Sequence, residues 1–176
     1  MGILRFFVCL FLLVLSSVSF ALEIDNVGLF SLSSYHSCAI DDSGVVCWGD
    51  NANGQSDIPA LNNPSQVSAG GYHSCALDDT GVVCWGDNQY GQTNVPSLSY
   101  PIQVSLGSFH SCALYSIGVF CWGWNDYGQT TVPALINPAQ VSSGFYHSCA
   151  LDDAGVVCWG RNGDGQTDVP ALSNPK

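Results

Sequence analysis

Short apolar runs alternate with turn-forming residues along most of the chain, and one stretch shows the pattern most clearly. His73–Leu77 and Val82–Gly86 have the length of strands, and residues 78–81 between them read Asp-Asp-Thr-Gly. Asp, Thr and Gly favour tight turns, so the stretch predicts a β-hairpin. If the loop holds an even number of residues, Cys75 faces Cys84, whereas an odd loop would put the two cysteines on opposite faces.

Both faces of this hairpin carry mainly apolar or small side chains. One face holds His73, Cys75, Leu77, Val82, Cys84 and Gly86, and the other holds Ser74, Ala76, Val83 and Trp85. A sheet with one face in water would alternate with polar residues, so the hairpin is expected to lie between two neighbours, as the inner part of a propeller blade does. The runs 102–105 and 139–142, which precede the later hairpins, predict a third short strand.

The hairpin unit recurs four times at an interval of 37 residues, with no insertion. Recurring prolines place the units at about 26–62, 63–99, 100–136 and 137–173. Self-similarity at such a period is typical of repeat architectures in which each unit packs on the next. The sequence therefore predicts an all-β fold, a β-propeller-like array of four short antiparallel blades of 37 residues each.

The N-terminal segment has the order of a secretory signal peptide. Arg5 precedes an apolar run from Phe6 to Leu15, and the small and polar residues of 16–21 follow. This pattern predicts a signal peptide over residues 1–21 and a repeat domain over 22–176. The run is short for a bilayer span, so we expect a secreted or extracytoplasmic protein with no membrane span after cleavage. Cys9 would leave with the signal, and 8 cysteines would remain.

Composition and charge narrow the function classes. Apolar residues make up 47% of the chain, enough for a real core, and 13 of the 14 acidic residues are Asp, which suits turns better than helices. Lys and Arg total 3, which gives a formal net charge of −11. Such a charge repels phosphate backbones, so nucleic-acid binding is not expected.

Two segments of the second copy resemble a repeat of the regulator of chromosome condensation family. They are Val67–Leu77 and Gly81–Gln92, and the same pattern recurs in all four copies. Ser33 occupies the place that glycine holds in the other copies, and Tyr115-Ser116 replaces an Asp pair in the third. The resemblance implies radially packed propeller blades, seven in typical members, with shorter blades in secreted bacterial relatives that include protein inhibitors of β-lactamase.

The cysteines are expected to form one disulfide within each hairpin, because facing residues on paired strands lie close to disulfide distance. The predicted pairs are Cys38 with Cys47, Cys75 with Cys84, Cys112 with Cys121, and Cys149 with Cys158. Zinc is the alternative, since His-x-Cys and a facing Cys could supply three ligands per repeat. Export, the even number of cysteines and the lack of an obvious fourth ligand favour disulfides.

The recurring histidines and tryptophans are expected to be structural. They are His36, His73, His110 and His147, with Trp48, Trp85, Trp122 and Trp159. Each imidazole is expected to be half-buried and to hold a backbone group of the next blade. Four identical positions do not suit catalysis, which normally needs one asymmetric constellation, so we expect no enzyme, no cofactor and no bound metal. Calcium at the recurring Asp pairs is an alternative, but turn formation explains those pairs equally well.

We expect a secreted, disulfide-stabilised repeat module that binds a protein, not yet identified, without catalysis. Trp124 has no counterpart in the other copies and lies near Tyr127, and exposed aromatic residues are favoured partner contacts. The alternatives are a regulator similar to guanine-nucleotide exchange factors, by family analogy alone, and a carbohydrate-binding or envelope structural protein.

Four blades shaped for a seven-bladed ring do not fill a circle. The chain is therefore expected to form a tight four-bladed ring, an open arc or a closed assembly of two chains. Repeat arrays normally need polar caps, and the terminal segments are not strongly polar, which favours a homodimer with eight blades.

Overall fold

A computed structural model describes residues 30–173 and 175 of the protein, and this part of the chain is built from β-strands. The signal peptide predicted over residues 1–21 lies outside the described residues. The strands are β1 (Phe30–Leu32), β2 (His36–Asp41), β3 (Gly44–Gly49), β4 (Gln66–Ala69), β5 (His73–Asp78), β6 (Gly81–Gly86), β7 (Pro101–Leu106), β8 (His110–Tyr115), β9 (Gly118–Gly123), β10 (Gln140–Ser143), β11 (His147–Asp152) and β12 (Gly155–Gly160).

Consecutive strands pair in threes, which gives four antiparallel sheets of three strands each. We number these sheets blades 1 to 4 along the chain. The all-β prediction of four short blades is confirmed. The third strand of each blade was also predicted, although β7 is longer than the expected run 102–105 and β10 begins one residue later than the expected run 139–142. No helix in the described part of the chain is long and apolar enough to cross a membrane.

Each hairpin adopts the even-loop register. In blade 2, Cys75 pairs with Cys84, and Asp78 pairs with Gly81, so the loop itself has two residues. Gly81 has a φ of +121°, a region that L-residues with a side chain rarely adopt. The Asp78 carboxylate accepts hydrogen bonds from the backbone N–H of Thr80 at 2.7 Å and of Asn62 at 2.8 Å. The turn residues therefore also fix the segment that enters the blade.

A disulfide joins the two strands of every hairpin. The bonds are Cys38–Cys47, Cys75–Cys84, Cys112–Cys121 and Cys149–Cys158, the four predicted pairs. These cysteines were also the candidate zinc ligands, and their sulfurs are bonded to each other instead.

The hydrophobic core lies between neighbouring blades. One position of the repeat is almost completely buried in three blades, with 1% exposure at Val67, Val104 and Val141. Each of these valines packs against the preceding blade. The clusters around them combine residues of two successive blades, such as Cys38 and Ile40 of blade 1 with Val67 and Trp85 of blade 2. A blade therefore completes its apolar packing only against its neighbours, as in other repeat proteins.

The described blades form an open arc, because the outer face of blade 1 lies in solvent. Trp48 is 52% exposed, whereas its counterpart Trp85 is 8% exposed. Phe30 is 69% exposed, although its counterpart Val67 is among the most buried residues of the protein. The four blades do not close into a tight ring within one chain.

Removing one hairpin disulfide is expected to destabilise the protein without changing the fold. In the chain-entropy model a loop of this length contributes about 3 kcal/mol, an upper figure because the turn already restricts the unfolded hairpin. The double variant Cys75→Ala/Cys84→Ala should lose up to that amount in urea unfolding. Peptide mapping without reduction should still find the other three bonds. A bond between cysteines of different blades would contradict the predicted pairing.

Candidate partner-binding surface

A buried hydrogen-bond relay joins each blade to the next. His36 Nε2 lies 2.7 Å from Ser74 Oγ of blade 2, and Ser74 Oγ donates to the carbonyl oxygen of Gln55 at 2.9 Å. A serine hydroxyl has one proton, and that proton is used on the carbonyl, so Ser74 accepts from an N–H at His36 Nε2. The same bonds recur at His73–Ser111 and His110–Ser148, both 2.9 Å.

The glutamine at each joint binds with its backbone and its side chain. Trp85 Nε1–H donates to the same Gln55 carbonyl at 2.9 Å, as Trp122 and Trp159 do to the carbonyls of Gln92 and Gln129. The Gln55 amide donates to Asp50 at 2.9 Å and accepts from the Asn53 backbone N–H at 2.9 Å. Gln55, Gln92 and Gln129 are fully buried. A His–Ser–Gln–Trp relay therefore clamps three blade joints.

Three of the four predicted structural histidines and three of the four tryptophans lie in this relay. Two expectations for the histidines need correction: the relay imidazoles are fully buried, not half-buried, and their contact is a different one. The imidazole does not bind a backbone group of the next blade; it binds a serine hydroxyl there, and the serine in turn binds the backbone carbonyl. The relay serine and glutamine were not singled out from the sequence, although both recur at intervals of 37 residues. Trp48 and His147 lie outside the relay, because no blade in the described part of the chain covers either of them.

His73 and His110 are neutral at pH 7. Burial, with a smaller contribution from neighbouring imidazoles, lowers the pKa of His73 to about 3 and that of His110 to about 4. Nδ1 of each has no hydrogen-bond partner among the described residues. In blade 1, Ser33 Oγ lies 3.1 Å from His36 Nδ1, so this serine, which replaces a glycine, supplies a contact that the other copies lack.

Acidification is therefore expected to destabilise the protein before its carboxylates titrate. The folded pKa of His73 and His110 lies below the unfolded value of 6.5, so the unfolded chain takes up protons first. Their contribution is fully present above about pH 6.5 and is lost as pH falls towards about 4. Each histidine should cost roughly 1.4 kcal/mol per pH unit in that window. Urea unfolding at pH 7, 6 and 5, with the disulfides intact, measures the loss.

The variant His73→Gln is the control for this assignment. A glutamine amide can donate to Ser111 as the imidazole does, but it does not titrate. The slope of the free energy of unfolding against pH should become shallower by about 1.4 kcal/mol per unit, whatever the variant does to stability at pH 7. An unchanged slope would show that other groups cause the acid sensitivity.

Aromatic residues form a continuous strip along one rim of the arc, which we call the aromatic ridge. Its members come from all four blades: Tyr35, Tyr72, Tyr90, Phe109, Trp124, Tyr127 and Tyr146. One ring precedes the central strand of each blade, and these rings follow one another at the 37-residue interval. The Tyr72 and Phe109 rings stack with centroids 4.9 Å apart, and Tyr35 lies 5.1 Å from Tyr72.

Trp124 lies at the middle of the ridge and connects its members. Its backbone N–H donates to the Phe109 carbonyl at 2.9 Å, which holds the indole at the rim. Its ring centroid is 5.1 Å from Tyr146, 5.3 Å from Tyr127 and 5.8 Å from Tyr90. Tyr90 and Tyr127 remain about half exposed. The two residues selected from the sequence, Trp124 and Tyr127, therefore belong to one surface with rings that the sequence analysis did not select.

Trp124 occupies a position at which two other blades have an aspartate that binds the relay glutamine. The equivalent residues of blades 1 and 2 are Asp50 and Asp87, and each carboxylate accepts the amide of the relay glutamine at 2.9 Å. In blade 3 the carboxylate is missing, and Gln129 Nε2 is buried with no partner among the described residues. A buried donor left unsatisfied costs about 1–3 kcal/mol. The ridge thus gains its central ring at the expense of a joint hydrogen bond.

Charge around the ridge is mainly negative, with one cation at its end. Arg161 occupies the blade 4 position that corresponds to Trp124, and its guanidinium lies 6.0 Å from the centroid of Tyr146. Arg161 also forms an ion pair with Asp164 at 3.1 Å. Asp50 and Asp87 flank the other half of the ridge, where their carboxylates bind the relay glutamines.

The recurring Asp pairs, considered above as calcium ligands, bind their own turns and the segments that enter the blades. Asp41 Oδ1 accepts the backbone N–H of Ser43 at 2.7 Å, and Asp152 accepts that of Ile136 at 2.8 Å. These bonds outweigh the effect of burial and hold the pKa of Asp152 below its usual value. The described residues contain no group of three His, Cys, Asp or Glu side chains placed to hold a metal ion.

Three solved structures show the same fold. The ectodomain of the receptor kinase ACR4 from Arabidopsis thaliana is 29% identical, with a TM-score of 0.65 over 74% of this chain and 49% of its own. The ectodomain of the receptor kinase CR4 from Physcomitrella patens is 24% identical, with a TM-score of 0.66 over 77% and 42%. Prp20p from Saccharomyces cerevisiae is 23% identical, with a TM-score of 0.67 over 82% and 47%.

The chain spans less than half the length of these structures. No curated protein sequence matches it. The family model of the regulator of chromosome condensation (RCC1) repeat matches residues 30–55, 65–92, 102–129 and 139–166, which is one match per blade. The resemblance drawn from the sequence is confirmed, and the chain belongs to the regulator of chromosome condensation repeat family.

Proposed function

We propose that the protein is an extracytoplasmic, non-enzymatic binding module that holds a partner protein on its aromatic ridge. The observation that carries the proposal is Trp124. This side chain replaces an aspartate that would satisfy Gln129, yet it completes a surface of seven aromatic rings. A residue that opposes the local stability pattern is expected at a functional site.

Four disulfides within the chain indicate an extracytoplasmic location, because the cytosol keeps thiols reduced. The similarity to the ACR4 structure supports the same location, since the matched part of that receptor kinase is its ectodomain. The predicted signal peptide would provide the export that this location requires.

The arrangement of the rings favours a protein partner over a carbohydrate. A sugar binds by stacking on a free aromatic face, but the faces of Tyr72 and Phe109 are stacked on each other at an interplanar angle of 17°. Trp124 meets Phe109 and Tyr127 edge to face, at 86° and 75°. The ridge therefore presents ring edges and tyrosine hydroxyls, which suit side chains packed between them.

The charge of the chain indicates the chemistry of that partner. With a formal net charge of −11, the protein attracts basic surfaces over a distance and repels acidic ones. We expect a partner with basic residues at its contact surface, and we expect its binding to weaken as salt is added.

The variant Trp124→Asp tests the proposal. Aspartate restores the carboxylate that Asp50 and Asp87 supply in their blades, so the gained hydrogen bond to Gln129 offsets the lost ring contacts. The free energy of unfolding should stay within about 1 kcal/mol of the wild type. Partner capture from native extracellular fluid, quantified by mass spectrometry, should nevertheless fall at least tenfold for the specific partner.

Ile117→Asp is the matched control. Ile117 is 83% exposed in the same blade, but it lies in the hairpin turn at the opposite end of β8 and β9. This variant should capture the partner as the wild type does. Equal capture by wild type and Trp124→Asp would reject the ridge as the binding site. Binding to a glycan array that Trp124→Asp abolishes would replace the protein partner by a carbohydrate.

A further inference from the structure

Every joint in the chain is made from two different halves. The His half lies on the earlier blade and consists of the relay histidine and the glutamine carbonyl. The Trp half lies on the later blade and consists of the relay serine and the tryptophan. His36 and Gln55 of blade 1 thus meet Ser74 and Trp85 of blade 2. The halves are chemically complementary, because the imidazole N–H and the carbonyl of one meet the serine hydroxyl and the indole N–H of the other.

Two further kinds of contact occur, each at two of the three joints. The Gln66 side chain of blade 2 donates to the carbonyl of Val104 at 3.0 Å and accepts its N–H at 2.9 Å, so one side-chain amide pairs with both backbone groups of a residue in the next blade. Ser105 Oγ of blade 3 accepts the N–H of Ser143 at 2.9 Å. These contacts extend the interface along the first strand of the later blade.

Blade 1 carries a complete Trp half that nothing in the described part of the chain covers. Ser37 and Trp48 occupy the positions of Ser74 and Trp85, and the Trp48 ring is half exposed. Phe30 and Leu32, at the positions of buried Val67 and Ala69, are each 69% exposed. The exposed face is therefore apolar and has the outline of an inner joint surface.

Blade 4 carries the matching His half, and no blade in the described part of the chain covers it. His147 and Gln166 stand at the positions of His110 and Gln129, which are fully buried, but both are partly exposed themselves. Gln140 and Ser142, at the positions of Gln103 and Ser105, are exposed. The amide and hydroxyl that pair with a following blade in the inner joints thus face solvent here.

We propose that a second copy of this chain docks head to tail, with its blade 1 on blade 4 of the first copy. The new joint repeats the three inner ones: His147 donates to the partner's Ser37, and the partner's Trp48 donates to the carbonyl of Gln166. Gln140 pairs with the backbone N–H and carbonyl of the partner's Phe30. Two such joints close two chains into one ring of eight blades, and this face is separate from the ridge on which the proposed function rests.

Light scattering on the oxidised full chain tests the proposal across the micromolar range. We expect a mass of two chains. Trp48→Asp should halve that mass by placing a charge in the Trp half, and Ser142→Asp should do so in the His half. Ile117→Asp, which lies on neither face, should leave the mass unchanged. Circular dichroism and disulfide mapping confirm that each variant retains its strands and four bonds.

Mixing the two variants separates a head-to-tail joint from other kinds of association. Trp48→Asp retains an intact His half and Ser142→Asp an intact Trp half, so an equimolar mixture can form one native joint and should recover the two-chain mass at high concentration. A mixture that stays at the mass of one chain would overturn the proposal. So would a wild type of one-chain mass, or a dimer that Trp48→Asp leaves intact.

Salt distinguishes this contact from the ridge. Both copies carry the same negative charge, so added salt should tighten the association of copies, whereas it should weaken the binding of a basic partner. A dimer that dissociates as salt is added would contradict the head-to-tail joint. Loss of the dimer in Trp48→Asp with unchanged partner capture would leave the proposed function standing.

Discussion

Burying polar groups between blades is the constraint on which the rest of the structure depends. A neutral imidazole, a serine hydroxyl and a glutamine carbonyl are each costly to bury alone, and they become tolerable only when they satisfy one another. That requirement fixes the distance between sheets, the tautomer of each histidine and the position of Trp85 and its counterparts. The disulfides act within a blade, whereas this relay determines how the blades stand against each other.

The aromatic ridge has its central ring, Trp124, because one joint tolerates a departure from that constraint. In blades 1 and 2 an aspartate completes the glutamine's hydrogen bonds, and in blade 3 an indole takes its place. The departure occurs where the rings of three blades meet, so a single substitution links residues that are far apart in sequence. The same residue, Trp124, leaves the Gln129 amide without a partner and joins the rings of three blades into one surface.

Local pattern was enough to predict the blades, but not the contacts between them. The register of Cys75 and Cys84 follows from the parity of one loop, and 37-residue periodicity predicts the count of blades. The serine and glutamine of the relay repeat just as regularly, but their burial depends on how closely two sheets approach, which no hairpin determines. Trp124 was visible as an exception, whereas Tyr72 and Phe109 look ordinary until the blades stack.

The uninterrupted spacing of the repeats also bears on how such a chain changes over generations. Every joint uses the same pair of halves, so deleting residues 63–99 would bring His36 against Ser111, and the relay chemistry would be unchanged. Recombination between repeats could therefore add or remove whole blades and keep the His–Ser–Gln–Trp relay at every joint. Such events can change the number of blades. Residues that occur in only one copy, such as Ser33 and Trp124, identify which copies have been retained.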